Sequence, residues 1–400
     1  MNKIRYITAG ESHGKALIGI IEGIPSGLSL SFKDIDKDLL RRQGGYGRGG
    51  RMNIESDHAE ILSGVRWGKT IGSPISLLIE NKDWENWRDG MSTLKKHEGS
   101  IKPVTKARPG HADLPGVIKY NQHDIRNILE RSSARETAMR VGLGAIAKKF
   151  LAEFDMKIGS FVIRIGNQEI AKSPVKSLAV RSYIAKEKEL LQMLTKAEKS
   201  PVRCPDLNAS KRMKKTIENA IKQGNSLGGM FDVFVTGVTI GLGSHIQWER
   251  RLDGRLAHAL MSIQAIKGVE IGLGFEISHK TGSEVMDEIF YDSSKFNRKT
   301  NFAGGIEGGM TNGMPIVLRA AMKPIPTQKK PLRSVDITTK KSVHAAYERS
   351  DTCAVPAAGV IGEAMVALTI ADAFLEKFGG DSMKEIKSNY KSYLNYIKKF

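Results

Sequence analysis

Apolar and polar positions change period several times along the chain, and each change marks an element. Residues 6–9, 17–22, 61–65 and 75–80 are short apolar-rich runs between glycine-containing turns, which predicts strands. Ser31-Phe32-Lys33-Asp34 opens a helix with Ile35, Leu39 and Leu40 on one face. Residues 124–129 and 134–154 predict two consecutive helices, or one helix disturbed at Ser132 and Ser133. Strands return at 161–165, 230–240, 269–275, 315–321 and 335–338. Residues 210–223 form an amphipathic helix with Gly224 as its stop, and 253–263 are helical. A long helix at 356–378 carries Ala357, Ala358, Ala364, Ala367 and Ala371. Ala134, Ala138, Val141, Gly142 and Ala145 give the earlier helix a similar small face, which allows close packing.

Strands in adjacent pairs between helices favour an α+β fold with largely antiparallel sheets over strict βαβ alternation. No fixed-period repeat and no Ser/Gly linker interrupts the chain, so one domain is expected over 1–400. Residues 172–204 read as a basic peripheral insertion containing a helix, and 379–400 as a helical tail. Apolar runs such as 16–21 and 75–79 are strand-sized, so no membrane span is expected. Cys204 and Cys353 are the only cysteines, and no histidine pair has metal-ligand helical spacing. A metal-free protein of a reducing cytoplasm follows as the default.

The charge sharpens the picture. With 62 Lys+Arg against 43 Asp+Glu, the net charge of +19 attracts anionic partners. Lysines concentrate in helix-like segments at 186–199, 211–222 and 384–399, and read as solvated faces. Arginines gather instead in glycine-rich loops, where guanidinium forks suit phosphate and carboxylate. The aromatic content is only 6% and no aromatic-basic RNA signature is present, which weakens an RNA reading while leaving nucleic acid and small phosphorylated molecules both open as partners.

Several motifs carry candidate chemistry. Arg131-Ser132-Ser133-Ala134-Arg135-Glu136 places a cation and hydroxyls at a helix start, with Ser133 and Glu136 in capping-box spacing. Gly10-Glu11-Ser12-His13-Gly14 puts a histidine in a turn after a strand, where it can protonate a leaving group. Arg41-Arg42-Gln43-Gly44-Gly45-Tyr46-Gly47-Arg48-Gly49-Gly50-Arg51 has no acid, and lacks the Lys-Ser/Thr ending of a nucleotide-hydrolysing loop. Arg108-Pro109-Gly110-His111-Ala112-Asp113 supplies a second loop histidine, with Asp113 able to orient it. Residues 304–313 form a glycine cluster that could line a flat cofactor or serve as a flap, and Lys323-Pro324-Ile325-Pro326-Thr327 is a stiff loop offering a cation and a hydroxyl. Asp351 stands before a helix start at Pro356, and Cys353 reads as a buried small hydrophobe.

Taken in order, segments 10–14, 41–51, 108–113, 131–140, 304–313, 323–327 and 349–363 resemble the chorismate synthase family in its longer bacterial form. Departures are small: Gly142-Leu143 replace a more usual alanine pair, and Pro326 stands where serine is common. The resemblance implies an α+β sandwich of long central helices between antiparallel sheets, assembled as a homotetramer. It implies a 1,4-anti elimination of phosphate from 5-enolpyruvylshikimate 3-phosphate to chorismate, with reduced FMN required although the reaction is redox-neutral. His13 would protonate the departing phosphate, His111 would sit near the flavin, and Asp351 would relay a proton. Flavin contacts implied are Arg131, Ser132, Ser133, Gln264, Ala265, Gly308, Lys323, Pro324, Ile325, Pro326, Thr327 and Arg349. Arg42, Arg48, Arg51, Arg108 and Arg135 would meet the substrate's phosphate and carboxylates. The family also places the pyridine nucleotide at Arg42 and Arg48, but the substrate role suits them better. NADPH then serves as an indirect reductant through an external flavin reductase. Two other readings stay open on the residues alone: a basic RNA-binding protein, and a flavin-dependent phosphate lyase for another substrate.

Overall fold

The computed structural model describes residues 3–49, 56–171, 183–292, 295–348 and 350–400. Arg51 and Arg349, and the part of the basic segment at 172–182, lie outside the described residues. The architecture is mixed α+β.

The first sheet has the strand order Arg5–Ala9, Ala16–Glu22, Ile75–Glu80, Glu60–Ile61. The second has the order Ile266–Ile271, Ile316–Met322, Gly229–Thr236, Lys157–Ile165, Gln168–Glu169. Every neighbouring pair in both sheets is antiparallel. Period-two alternation explains the first sheet: Leu17, Ile21, Ile75, Leu77 and Ile79 are buried, whereas Ile18 and Ile20 of the other face are exposed. The run at 61–65 is not one strand. Gly64 turns at φ +80 against Ile75, so Glu60–Ile61 joins the first sheet and Val65–Arg66 pairs with Lys69–Thr70 in a small hairpin.

Helices Thr137–Ala152 and Val355–Phe378 occupy the core. Small residues let them touch: a Cβ on Gly144 would lie 2.3 Å from that of Ala364. The first helix lies on the first sheet, where Gly19 leaves room for Met139 and Leu143. The second lies on the second sheet, Gly362 facing Phe231 and Val233. Val355–Phe378 is long and apolar enough to cross a membrane, but 94% of its most apolar stretch is buried inside the protein. It is a core helix. Helix Tyr183–Glu198 sets Leu190 and Ala197 into the core. The C-terminal helix Met383–Lys399 docks Tyr390 against Phe154, Phe374 and Phe378.

The serine junction resolves as two helices. Helix Arg126–Ser132 stops, Ser133 is extended, and a single 3-10 turn at Ala134–Glu136 leads into Thr137–Ala152. The expected capping box between Ser133 and Glu136 does not form. The tighter turn brings the Arg135 N–H, not that of Glu136, to the Ser133 hydroxyl at 3.3 Å. Glu136 takes stronger partners, accepting from Thr8 Oγ1 at 2.9 Å and from Arg140 Nε at 2.9 Å. Residues 31–34 do form such a box, Ser31 N–H and Oγ–H both donating to Asp34.

Candidate active site

The N-terminal ends of both core helices open into one cleft of about 610 Å³. Helix starts present unpaired N–H groups and a positive dipole end, so two of them on one wall favour an anion before any side chain is counted. Loops from distant parts of the chain complete the walls.

His13 and His111 both line the cleft, each fixed by a carboxylate. His13 Nδ1 lies 2.8 Å from Glu130 Oε1, and its backbone N–H donates to Glu130 Oε2 at 2.8 Å. The His13 ring lies on Trp87 with centroids 4.4 Å apart, and the Arg126 guanidinium covers Trp87 at 4.7 Å. Arg126 also donates to Glu130 at 3.3 Å, closing the support. His13 Nε2 sits 3.9 Å from Asp83 at the cleft wall. Burial alone would raise the Glu130 carboxyl. The hydrogen bond and charge of His13, with Arg126, hold it below its ordinary value instead.

His111 repeats the arrangement. Its Nδ1 lies 2.6 Å from Asp113 Oδ1, while Arg108 clamps the same carboxylate with Nε at 2.8 Å and Nη2 at 2.9 Å. Asp113 is fully buried. Against that burial, Arg108 and His111 hold its carboxyl well below the usual carboxylate range. An ionised Asp113 accepts the His111 Nδ1–H and leaves the other ring nitrogen for proton transfer.

The glycine-rich arginine loop looks acid-free in sequence, but its described arginines meet acids from elsewhere in the fold. Arg41 turns away from the cleft and binds Glu363 through Nη1 and Nη2, each at 2.7 Å. Arg42 and Arg48 do line the cleft. Arg48 pairs with Asp351 at 3.1 Å, and Asp351 accepts the Gly49 N–H at 2.6 Å. Arg42 donates to Thr137 Oγ1 at 3.1 Å and to the Ala134 carbonyl at 2.9 Å. Burial pulls its guanidinium down to about 9; Asp57 opposes this, and Arg48 and Arg135 add to it. Arg135 reaches the same cleft with Nε donating to Asn81 at 2.8 Å and Nη1 to Asp57.

Of the remaining expected residues, Ser132, Ser133, Gln264, Ala265, Lys323, Ile325, Pro326, Thr327 and Arg108 line the cleft. Ala265 bends this wall with φ +68, a strained left-handed conformation for a non-glycine residue, and its carbonyl accepts the Lys323 N–H at 2.9 Å. Lys323 Nζ donates to the Gly110 carbonyl at 2.8 Å, tying this wall to the His111 loop. Three expected residues do not line the cleft of this chain. Arg131 spends its guanidinium on strand oxygens, donating to Thr8 and Gly10 carbonyls at 2.7 and 3.1 Å. Gly308 forms the tight turn between Ile306–Glu307 and Met310–Thr311. Pro324 is passed over between Lys323 and Ile325.

Asp57, Asp83, Trp87, Asn81 and Glu130 were not singled out from the sequence. Only the fold brings them to the arginines and histidines, and no local spacing announces it. Burial pushes the Cys353 thiol up to about 12 and Cys204 to about 11, so neither is a thiolate nucleophile. Among the described residues, no group of three or more His, Cys, Asp or Glu is arranged to hold a metal ion.

The chain is similar to known proteins along nearly its whole length. The family model described as chorismate synthase matches residues 4–375. A chorismate synthase of Aquifex aeolicus is 58% identical over 398 residues, covering 99% of each chain. One from Geobacter metallireducens is 56% identical, covering 99% of this chain and all of its own. A crystal structure of chorismate synthase superposes with a TM-score of 0.80 at 49% identity, covering 99% of both chains. The chain belongs to the chorismate synthase family, carbon–oxygen lyases of the shikimate pathway.

Proposed function

We propose that this cleft binds 5-enolpyruvylshikimate 3-phosphate beside reduced FMN and eliminates phosphate in the 1,4-anti sense to give chorismate. The single observation that carries the assignment of roles is the convergence of two carboxylate-held histidines and cationic side chains on two helix N-termini in one cleft. Its volume lies in the ordinary range for small-ligand sites. The donor set suits a flavin: Ile263, Ala265, Met322 and Ile325 offer an apolar wall to a flat ring, while Ser132, Ser133 and Lys323 offer donors to its polar groups. Reduced FMN, when bound, supplies an electron to the allylic system and takes it back, which keeps the reaction redox-neutral.

The side chains divide the remaining work. Arg42, Arg48 and Arg135 hold the substrate's phosphate and carboxylates, with Arg108 fixed beside them. Arg51 and Arg349 keep their expected roles toward substrate and flavin, as do Arg131, Pro324 and Gly308 toward flavin only insofar as the assembled enzyme brings them near. His13, held through Nδ1 by Glu130, delivers a proton from its other nitrogen to the leaving phosphate. His111, oriented by Asp113, stabilises negative charge on the bound ring. Asp351 takes up and passes on the C6 proton.

We read residues 1–400 as one domain in which two long helices are sandwiched between two antiparallel sheets, with 379–400 a docked tail; the described end of the 172–204 segment is less peripheral than its sequence suggests, since Leu190, Ala197, Val202 and Cys204 join the core. The outer face of the first sheet exposes Ile7, Ile18 and Ile20, which supports assembly into the homotetramer. We place the enzyme in the cytoplasm, with NADPH reducing the flavin through a separate reductase. The test is anaerobic turnover with chemically reduced FMN: chorismate and phosphate form in equal amounts, and His13→Ala and His111→Ala each lose at least a hundredfold in kcat. Normal turnover in both variants overturns the proton-transfer roles.

A further inference from the structure

The Asp57 side chain is fully buried behind the cleft wall, and the residue belongs to no motif of the chain. One of its carboxylate oxygens accepts from Arg135 Nη1, and the other lies 3.5 Å from Arg42 Nη1. The two arginines come from different elements, the last turn of helix Phe32–Gln43 and the 3-10 turn Ala134–Glu136. Both are themselves almost fully buried and both line the cleft.

We propose that Asp57 is a positioning residue for the anionic substrate: its one carboxylate holds Arg42 and Arg135 as a fixed pair of cations. Three arguments carry this. Two buried guanidinium groups in one place repel each other and lose hydration, and a shared anion between them offsets both costs. Neutral acceptors also aim each fork, Thr137 and Ala134 for Arg42 and Asn81 and the Glu80 carbonyl for Arg135, and Asp57 is the carboxylate that the two arginines share. Asp57 does not line the cleft, so it acts through the arginines and not by touching substrate. Charged groups facing Arg42 include Asp57, Arg48, Arg135 and Asp351. Removing Asp57 leaves Arg42 beside two cations, with Asp351 already held by Arg48.

The proposal depends on these arginines meeting the substrate, and the test separates the two ideas. Asp57→Asn, Asp57→Glu and wild type are assayed anaerobically with saturating reduced FMN at neutral pH, alongside flavin affinity by fluorescence titration. Asp57→Asn is expected to raise the substrate KM at least tenfold, with flavin affinity within twofold of wild type and kcat falling by a smaller factor. Asp57→Glu is expected to recover part of the loss. If Asp57→Asn does not fold, pairing it with Arg135→Gln removes the excess charge. That double variant is expected to fold and to show a KM no higher than Arg135→Gln alone. An Asp57→Asn enzyme with unchanged KM, or a double variant whose KM is the product of two separate effects, overturns the proposal. A wild-type enzyme that turns over normally with either result leaves the functional assignment intact. A wild-type enzyme that forms no chorismate overturns that assignment instead.

Discussion

At the residue scale, each candidate proton-transfer histidine is only as good as the carboxylate behind it. Glu130 accepts from both the ring and the backbone N–H of His13, so it sets ring angle and tautomer together. Glu130→Gln keeps the size but replaces one acceptor oxygen with an amide donor. General acids of this kind contribute roughly 10²–10⁴-fold, so a kcat loss of about a hundredfold is expected, with substrate KM changed little. Steady-state kinetics check this, and an unchanged kcat would remove Glu130 from the account. The sequence made both histidines visible because each sits in a glycine-containing turn. It showed Asp113, two residues from His111, but not Glu130, which lies 117 positions from His13. Local spacing exposes neighbours within a turn; it carries no trace of a partner delivered by tertiary packing. The same reason hid Asp57 and made the arginine loop look more uniformly anion-seeking than it is, since Arg41 serves Glu363 in the core.

At the scale of elements, the long helices and the strand pairs were legible because their apolar periods are long and uninterrupted. Close packing of the core helices was expected from small residues, but in the first helix the contact falls at Gly144, against Ala364, while Gly142 of the expected face meets Leu77 and Ile35. The capping box at Ser133 misled because a 3-10 turn needs one residue fewer than the spacing assumes, and Arg140 outcompetes a backbone N–H for Glu136. Gly144→Ala tests the packing. Helix propensity alone would favour alanine by about 1 kcal/mol. Overpacking against Ala364, whose Cα would lie 2.5 Å away, is expected to win, for a net destabilisation of about 1–3 kcal/mol. Denaturant unfolding with an unchanged m-value checks it; a stabilised variant would contradict the contact.

On the scale of the whole molecule, the large positive charge is balanced locally by carboxylates placed where arginines converge. Despite burial, Asp113, Glu130, Glu136 and Glu363 are all held below their ordinary values by cationic partners and hydrogen bonds. Their folded values lie below the unfolded ones, near 4, so the stability they contribute is present above about pH 4.5 and is lost as pH falls through the folded values. Asp232 runs the other way, its carboxyl raised by burial despite Arg319, and it opposes the trend as one group against four. The thermal midpoint is therefore expected to hold between pH 6 and 8 and to fall steeply below about pH 4.5; a midpoint that rises on acidification would contradict the charge arrangement. The central claim is tested most directly by one measurement, chorismate formed per phosphate released by the purified enzyme under anaerobic conditions. Reduced FMN, or oxidised FMN with NADPH and a separate flavin reductase, is expected to support one chorismate per phosphate with no net flavin oxidation. Phosphate release that proceeds equally well with oxidised FMN alone, or no chorismate with any supply of reduced flavin, would contradict the account.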